Sequence, residues 1–172
     1  MSRVLVTGGA GTIGAAVVRR LLRDPDFEVR VSDQRDAPAW MREGCEVHRG
    51  DPRVLAEARK AMSGCTHVIH LAAIVGGIAN FHKLPHTLTE VNNALYNAIV
   101  RAALEEDGLE RFVYVSSSMV FERAEQYPTR EDYIDDCPVP SAFQGSTTRQ
   151  SAPARSAIAR SASGRENALW LV

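Results

Sequence analysis

The chain has 172 residues, 45% of them hydrophobic, which suits one domain with a sizeable buried core. A formal net charge of −1 gives no electrostatic footprint for nucleic acid or for an acidic membrane surface. No apolar run reaches membrane-spanning length, Met1-Ser2-Arg3 leads straight into a strand pattern, and Cys45, Cys65 and Cys137 lack metal-ligand spacing, so a cytoplasmic protein with reduced thiols and no metal is expected. His82 and His86 lie four apart, but no carboxylate or thiol nearby completes a metal site.

Val4-Leu5-Val6 is the short apolar run of a buried parallel strand. Gly8, Gly9, Gly11 and Gly14 follow at once, and Val17, Val18, Leu21 and Leu22 then show helical spacing. Strand, glycine turn and helix in that order make a phosphate site, because the backbone can approach closely and the helix start offers free N–H groups. Gly9-x-Gly11-x-x-Gly14 fits the general dinucleotide fingerprint, and Gly8-x-x-Gly11-x-x-Gly14 after Thr7 fits an overlapping one. The helix is expected from Thr12 to about Arg23, before Asp24-Pro25-Asp26.

A second strand, Phe27 to Ser32, stops at Asp33, about 20 residues past the glycines, where a carboxylate can accept both hydroxyls of an adenosine ribose. That position favours NAD over NADP, whereas Arg35 can hold a ribose phosphate instead. Glu46 to Arg49 is expected as a third strand, and Asp51 as the cap of a helix from Pro52 to about Met62. Capping is a sufficient role for Asp51. The fourth strand, Thr66 to Leu71, runs into Ala72-Ala73, whose small side chains leave room for a cofactor at the strand's carboxyl end. A long helix from about Thr87 to Glu106 buries Leu88, Val91, Leu95, Ala98, Ile99 and Ala102, and Gly108 ends it. The fifth strand, Arg111 to Val115, leads into Ser116-Ser117-Ser118, which is either turn chemistry or a set of hydroxyls for a reacting oxygen. Alternating strands and helices predict an α/β fold, a doubly wound parallel (Rossmann) sheet of order 3-2-1-4-5.

These residues resemble the extended short-chain dehydrogenase/reductase family, the NAD-dependent nucleotide-sugar epimerases and dehydratases. The resemblance covers about residues 4–143. It rests on Thr7-Gly8-x-x-Gly11-x-x-Gly14, Asp33, Asp51, His70-Leu71-Ala72-Ala73, Asn92 and Phe112-Val113-Tyr114-Val115-Ser116-Ser117-Ser118-x-Val120-Phe121. Ala73-x-Val75-Gly76-Gly77-Ile78 is most similar to the GDP-sugar branch, the GDP-fucose synthases and GDP-mannose epimerases. The resemblance implies NAD as cofactor, with Gly8, Gly11 and Gly14 cradling its pyrophosphate, Asp33 its adenosine ribose, and Asp51 near the adenine. Ala72 and Ala73 would line the cofactor channel; Thr12, Ile13, Leu71 and Asn92 are counted with them as cofactor-binding, and Ser117 as the catalytic serine. A nucleotide-sugar substrate and a homodimer are further implications of the family.

The family's general base is a tyrosine with a lysine four residues on, which lowers the phenol pKa. Pro138-x-Pro140-Ser141-Ala142 resembles the lead-in to it, but the next residue is Phe143 and the lysine position is Thr147. Lys60 and Lys83 are the only lysines, and Met119 replaces a cysteine that the GDP-sugar branch tends to carry. Residues 1–143 are therefore expected to form an NAD-binding Rossmann domain. Residues 144–172 are a Ser/Ala/Arg-rich tail expected to be disordered, either of the kind that out-of-frame translation of a GC-rich gene gives or that of a natural short form, with a short helix at most over Ser156 to Ser163. By this reading the C-terminal strands and the substrate domain are missing, the fifth strand is a sheet edge, and the chain is a truncated, inactive relative of the enzymes. The alternative is a non-catalytic dinucleotide-binding protein, a sensor or partner subunit.

Overall fold

The computed structural model describes residues 1–75, 85–115, 126–129 and 170–171. Strand β1 (Ser2–Thr7) is its centre, and from Val4 to Thr7 every residue is buried. Side chains alternate across a strand, so the two faces of β1 feed two cores. Val4 and Val6 pack with Val29, Val31, Val18 and Met41, whereas Leu5 joins Val68, Phe112, Met62, Ala98 and Ile99 on the other face.

The chain then forms α1 (Thr12–Leu21), β2 (Phe27–Asp33), α2 (Ala39–Gly44), β3 (Glu46–Arg49), α3 (Leu55–Met62), β4 (His67–His70), α4 (Pro85–Glu105), β5 (Arg111–Tyr114) and β6 (Trp170–Leu171). The sheet order is β3-β2-β1-β4-β5-β6, with every pairing parallel. The expected order of the first five strands holds. Because β1 pairs with β2 on one side and β4 on the other, the order reverses between β1 and β4, and a crevice opens at their carboxyl ends. Among the described residues, no helix is long and apolar enough to cross a membrane.

The structure corrects several local expectations. Helix α1 stops at Leu21, and α3 begins at Leu55 rather than Pro52. Asp51 does not cap α3, whose N-cap is Val54 with no side-chain bond. Instead the Asp51 carbonyl accepts the Val54 N–H (3.0 Å) and its carboxylate accepts the Arg53 N–H (3.0 Å), closing a turn ahead of the helix. Val91 is half-buried, while the other five residues of the α4 stripe are buried. Helix α2 is unanticipated: it is six residues long, anchored by fully buried Met41, and the Arg19 guanidinium lies 4.5 Å from the Trp40 ring centroid. Finally, β5 is not the sheet edge, since Val113 and Tyr114 pair with Trp170 and Leu171 of the tail. The rest of the tail, including the short helix expected over Ser156 to Ser163, lies outside the described residues.

Candidate functional site: the crevice at β1 and β4

The turn after β1 is built by steric necessity. Gly8 has φ +70°, and a Cβ there would lie 2.8 Å from the Ala72 backbone nitrogen, so only glycine lets β1 and the end of β4 come this close. A Cβ on Gly14 would lie 2.3 Å from the Gly8 carbonyl oxygen, so the helix packs its first turn directly on the loop. Gly11 is the N-cap of α1 and offers no side-chain cap. Its own N–H donates to the Gly8 carbonyl (3.0 Å), and helix geometry leaves the N–H groups of Thr12, Ile13 and Gly14 without intrahelical acceptors. These three amides carry the positive end of the α1 dipole toward the crevice.

Thr7 ties the floor of the crevice together. Its hydroxyl oxygen accepts the N–H groups of Leu71 and Ala72 (3.2 Å each) and lies 2.7 Å from Nδ1 of His70. The Leu71 N–H is shared with the Thr7 carbonyl (3.2 Å), and the Thr7 hydroxyl and Nδ1 of His70 form one buried hydrogen bond. Burial pushes the His70 pKa down to about 4, and its ring stacks on Tyr114 with 5.7 Å between centroids. Ala72 and Ala73 follow without bulk. Asn92 of α4 accepts the Ile74 N–H (2.8 Å) and donates to the Ile74 carbonyl (3.0 Å), fixing the chain that leaves β4.

Asp33 ends β2 beside the glycine turn and is 4% exposed. Its Oδ2 accepts the Ala10 N–H (3.0 Å) and Nη2 of Arg35 (3.0 Å), while Oδ1 accepts the Arg35 N–H (2.9 Å) and Nε (3.1 Å). Burial pushes the Asp33 pKa up, but the Arg35 guanidinium and the Arg35 and Ala10 N–H groups outweigh it and hold the carboxyl below its ordinary range. The Gly50 N–H donates to the Asp33 carbonyl (3.2 Å), which brings Asp51 to the same end of the sheet. Asp51 is clamped by Arg53, with Nη2 to Oδ2 at 2.6 Å, and that bond lowers its pKa.

The structure thus places Gly8, Gly11, Thr12, Ile13, Gly14, Asp33, Asp51, Leu71, Ala72 and Ala73 at the carboxyl ends of β1 to β4, with Asn92 bonded to Ile74 just beyond β4. Ser117, Phe143 and Thr147 lie outside the described residues, as does most of the Val75-Gly76-Gly77-Ile78 stretch. Among the described residues, no group of three or more His, Cys, Asp or Glu could hold a metal. Sequence reasoning missed the Thr7–His70 bond and the Asn92–Ile74 pair. The signal for the first was polar residues inside buried strands; Asn92 was singled out, but its partner was not. A cofactor fit rests on two features of this chain: a glycine turn packed so closely that a Cβ at Gly8 or Gly14 would collide with backbone, and three amides without intrahelical acceptors at the start of the helix that follows it.

The profile of the NAD dependent epimerase/dehydratase family matches residues 4–144. The GDP-mannose 3,5-epimerase 1 of Oryza sativa subsp. japonica is 29% identical over 128 residues, 74% of this chain and 34% of that protein. A probable GDP-L-fucose synthase of Drosophila melanogaster is 31% identical over 140 residues, 80% of this chain and 40% of that protein. Matches also include 3-beta-hydroxysteroid dehydrogenases. Among solved structures, the UDP-glucose 4-epimerase of Thermus thermophilus in complex with NAD superposes with a TM-score of 0.76 at 25% identity, over 98% of this chain and 53% of that one. The chain therefore spans 34–40% of the length of these curated relatives and 53% of that solved structure.

Proposed function

Since this chain belongs to the NAD dependent epimerase/dehydratase family, we propose that residues 1–143 are the NAD-binding part of a nucleotide-sugar epimerase or dehydratase that holds its cofactor without completing the reaction. The observation that carries cofactor binding is the glycine cradle at the switch point, with the amides of Thr12, Ile13 and Gly14 behind it and Asp33 at the end of the adjacent strand. The pyrophosphate would take those amides, the adenosine ribose would lie toward Asp33, and Ala72 and Ala73 would leave space for the nicotinamide side. NAD supplies a hydride acceptor for a sugar carbinol carbon.

The residues of this chain then set the limit on chemistry. Hydride departure from a carbinol carbon needs its hydroxyl proton removed, and a positioned base contributes ~10²–10⁴-fold. Phe143 has no proton to exchange, and Thr147 carries no charge to lower a phenol's pKa. Tyr127 and Tyr133 precede them without a lysine four residues later. Ser117 can hydrogen-bond a substrate oxygen but cannot replace a base. The non-catalytic role left open by this chemistry is that of a sensor or a partner subunit.

Two measurements test the reading. Calorimetric titration with NAD should show saturable binding, lost in Gly14→Val; binding that survives this substitution, or none in the unaltered chain, rejects the cradle. Incubation with NAD and GDP- or UDP-sugars should give neither nicotinamide absorbance change nor product. Turnover at about 1–10³ s⁻¹, ordinary for enzymes, would reject inactivity.

A further inference from the structure

A carboxylate offers about four acceptor positions, and at Asp33 all four are filled by N–H groups of this chain. Two come from the Arg35 side chain, in the parallel fork geometry of a strong ion pair. The Asp33 side chain is 5% exposed and that of Arg35 57%, so the guanidinium covers the acid on its solvent side. A hydroxyl arriving at the ribose position therefore meets Arg35 and not a free carboxylate. The pair is also neutral, which cancels the repulsion by which an acid here excludes a 2′-phosphate. A guanidinium has five N–H groups, and Asp33 takes two of them. The remaining three are not bonded to Asp33, on a side chain that is 57% exposed. Its position is at the mouth of the phosphate cradle, for Nη2 lies 3.1 Å from where a Cβ of Gly11 would be.

We propose that Arg35, locked on Asp33, makes the ribose end of this cleft a site for a 2′-phosphorylated adenine dinucleotide, so that NADP binds as well as NAD. The N–H groups of Arg35 that Asp33 does not use donate to the 2′-phosphate of one dinucleotide and to the 2′-hydroxyl oxygen of the other. This rests on the reading of the crevice as a cofactor site, and it replaces the preference for NAD that the position of Asp33 alone suggests.

The test titrates NAD and NADP into the full chain and into Arg35→Ala, with circular dichroism confirming that the variant is folded. The unaltered chain should bind NADP within about tenfold of NAD, and the substitution should shift the NADP-to-NAD affinity ratio against NADP by about 10–100-fold, the weight of a charge-assisted contact to phosphate. An unchanged ratio overturns the proposal. So does an equal loss for both dinucleotides, which would assign Arg35 to the pyrophosphate. A second measurement needs no variant: adenosine 2′,5′-bisphosphate should bind the unaltered chain at least as tightly as 5′-AMP, and weaker binding overturns the proposal. If neither dinucleotide saturates the unaltered chain, the cofactor reading itself fails, and this assignment with it.

Discussion

At Thr7 the hydroxyl meets the N–H groups of Leu71 and Ala72 and Nδ1 of His70, all inside the protein. Burial keeps the bonded His70 ring neutral. Its pKa is about 4 in the folded chain against 6.5 for a free histidine, so the unfolded chain binds the proton more readily between those values. Stability is full above about pH 6.5 and falls as the pH drops through 4, by at most ~3 kcal/mol for 2.5 units at ~1.36 kcal/mol each. Urea midpoints measured from pH 7 to pH 4 should show this decline, and His70→Gln should flatten it. Asp33 has the same sign in a lower window, because its depressed pKa gives stability that is lost only below its ordinary value of 3.8. The offset of Asp33 from the glycines was legible because a strand and a helix fix that distance in sequence. Its saturation by Ala10 and Arg35 was not, since hydrogen-bond occupancy depends on how a loop 23 residues away is folded.

Among elements, β1, β2, β4 and β5 were legible from apolar residues in short runs, and β3 (Glu46–Arg49) from its place between glycines in an alternating strand–helix pattern. Helix α2 was not, since six residues cannot display a helical period, and its stability comes from burying Met41 in tertiary contact. Nor did strand β2 announce its buried arginine. Arg30 has a side chain 9% exposed, and its Nη1 donates to the carbonyls of Ala61 (2.9 Å) and Ser63 (2.6 Å) while Nε meets Glu46 (2.8 Å). Those carbonyls close the C-terminal end of α3, so Arg30 joins that helix to the sheet. Arg30→Ala should cost about 2–4 kcal/mol in chemical denaturation, because it strands buried acceptors. Arg59→Ala, which breaks the exposed pair with Glu105, should leave the midpoint unmoved. On the opposite wall, Asn92→Leu removes both bonds to Ile74 and should lower stability by about 1–2 kcal/mol while weakening NAD binding more than a distant variant of equal stability.

At the scale of the whole molecule, strand order and crevice position follow from parallel pairing and right-handed crossovers. The sixth strand was illegible because Trp170-Leu171 lies in a tail without apolar periodicity, and only its pairing with Val113 and Tyr114 marks it. The frame-disruption reading of the tail makes a prediction of its own. Translating the coding DNA after Phe143 in the other two frames should uncover a Tyr-x-x-x-Lys continuation, and its absence from both rejects that reading. The long span of the central pairings also bears on synthesis. Thr7 meets His70 across a sequence separation of 63 residues, and β4 supplies the backbone against which Gly8 closes. A chain emerging from the ribosome can pair β1 with β2 early, but the phosphate cradle has no floor until His70 has cleared the exit tunnel. Until then the inner edge of β1 is an unpaired hydrophobic strand. The crevice therefore closes only after β4 has emerged, later than the β3-β2-β1 half of the sheet, and a nascent chain stalled before β4 should depend on chaperones more than one stalled after it.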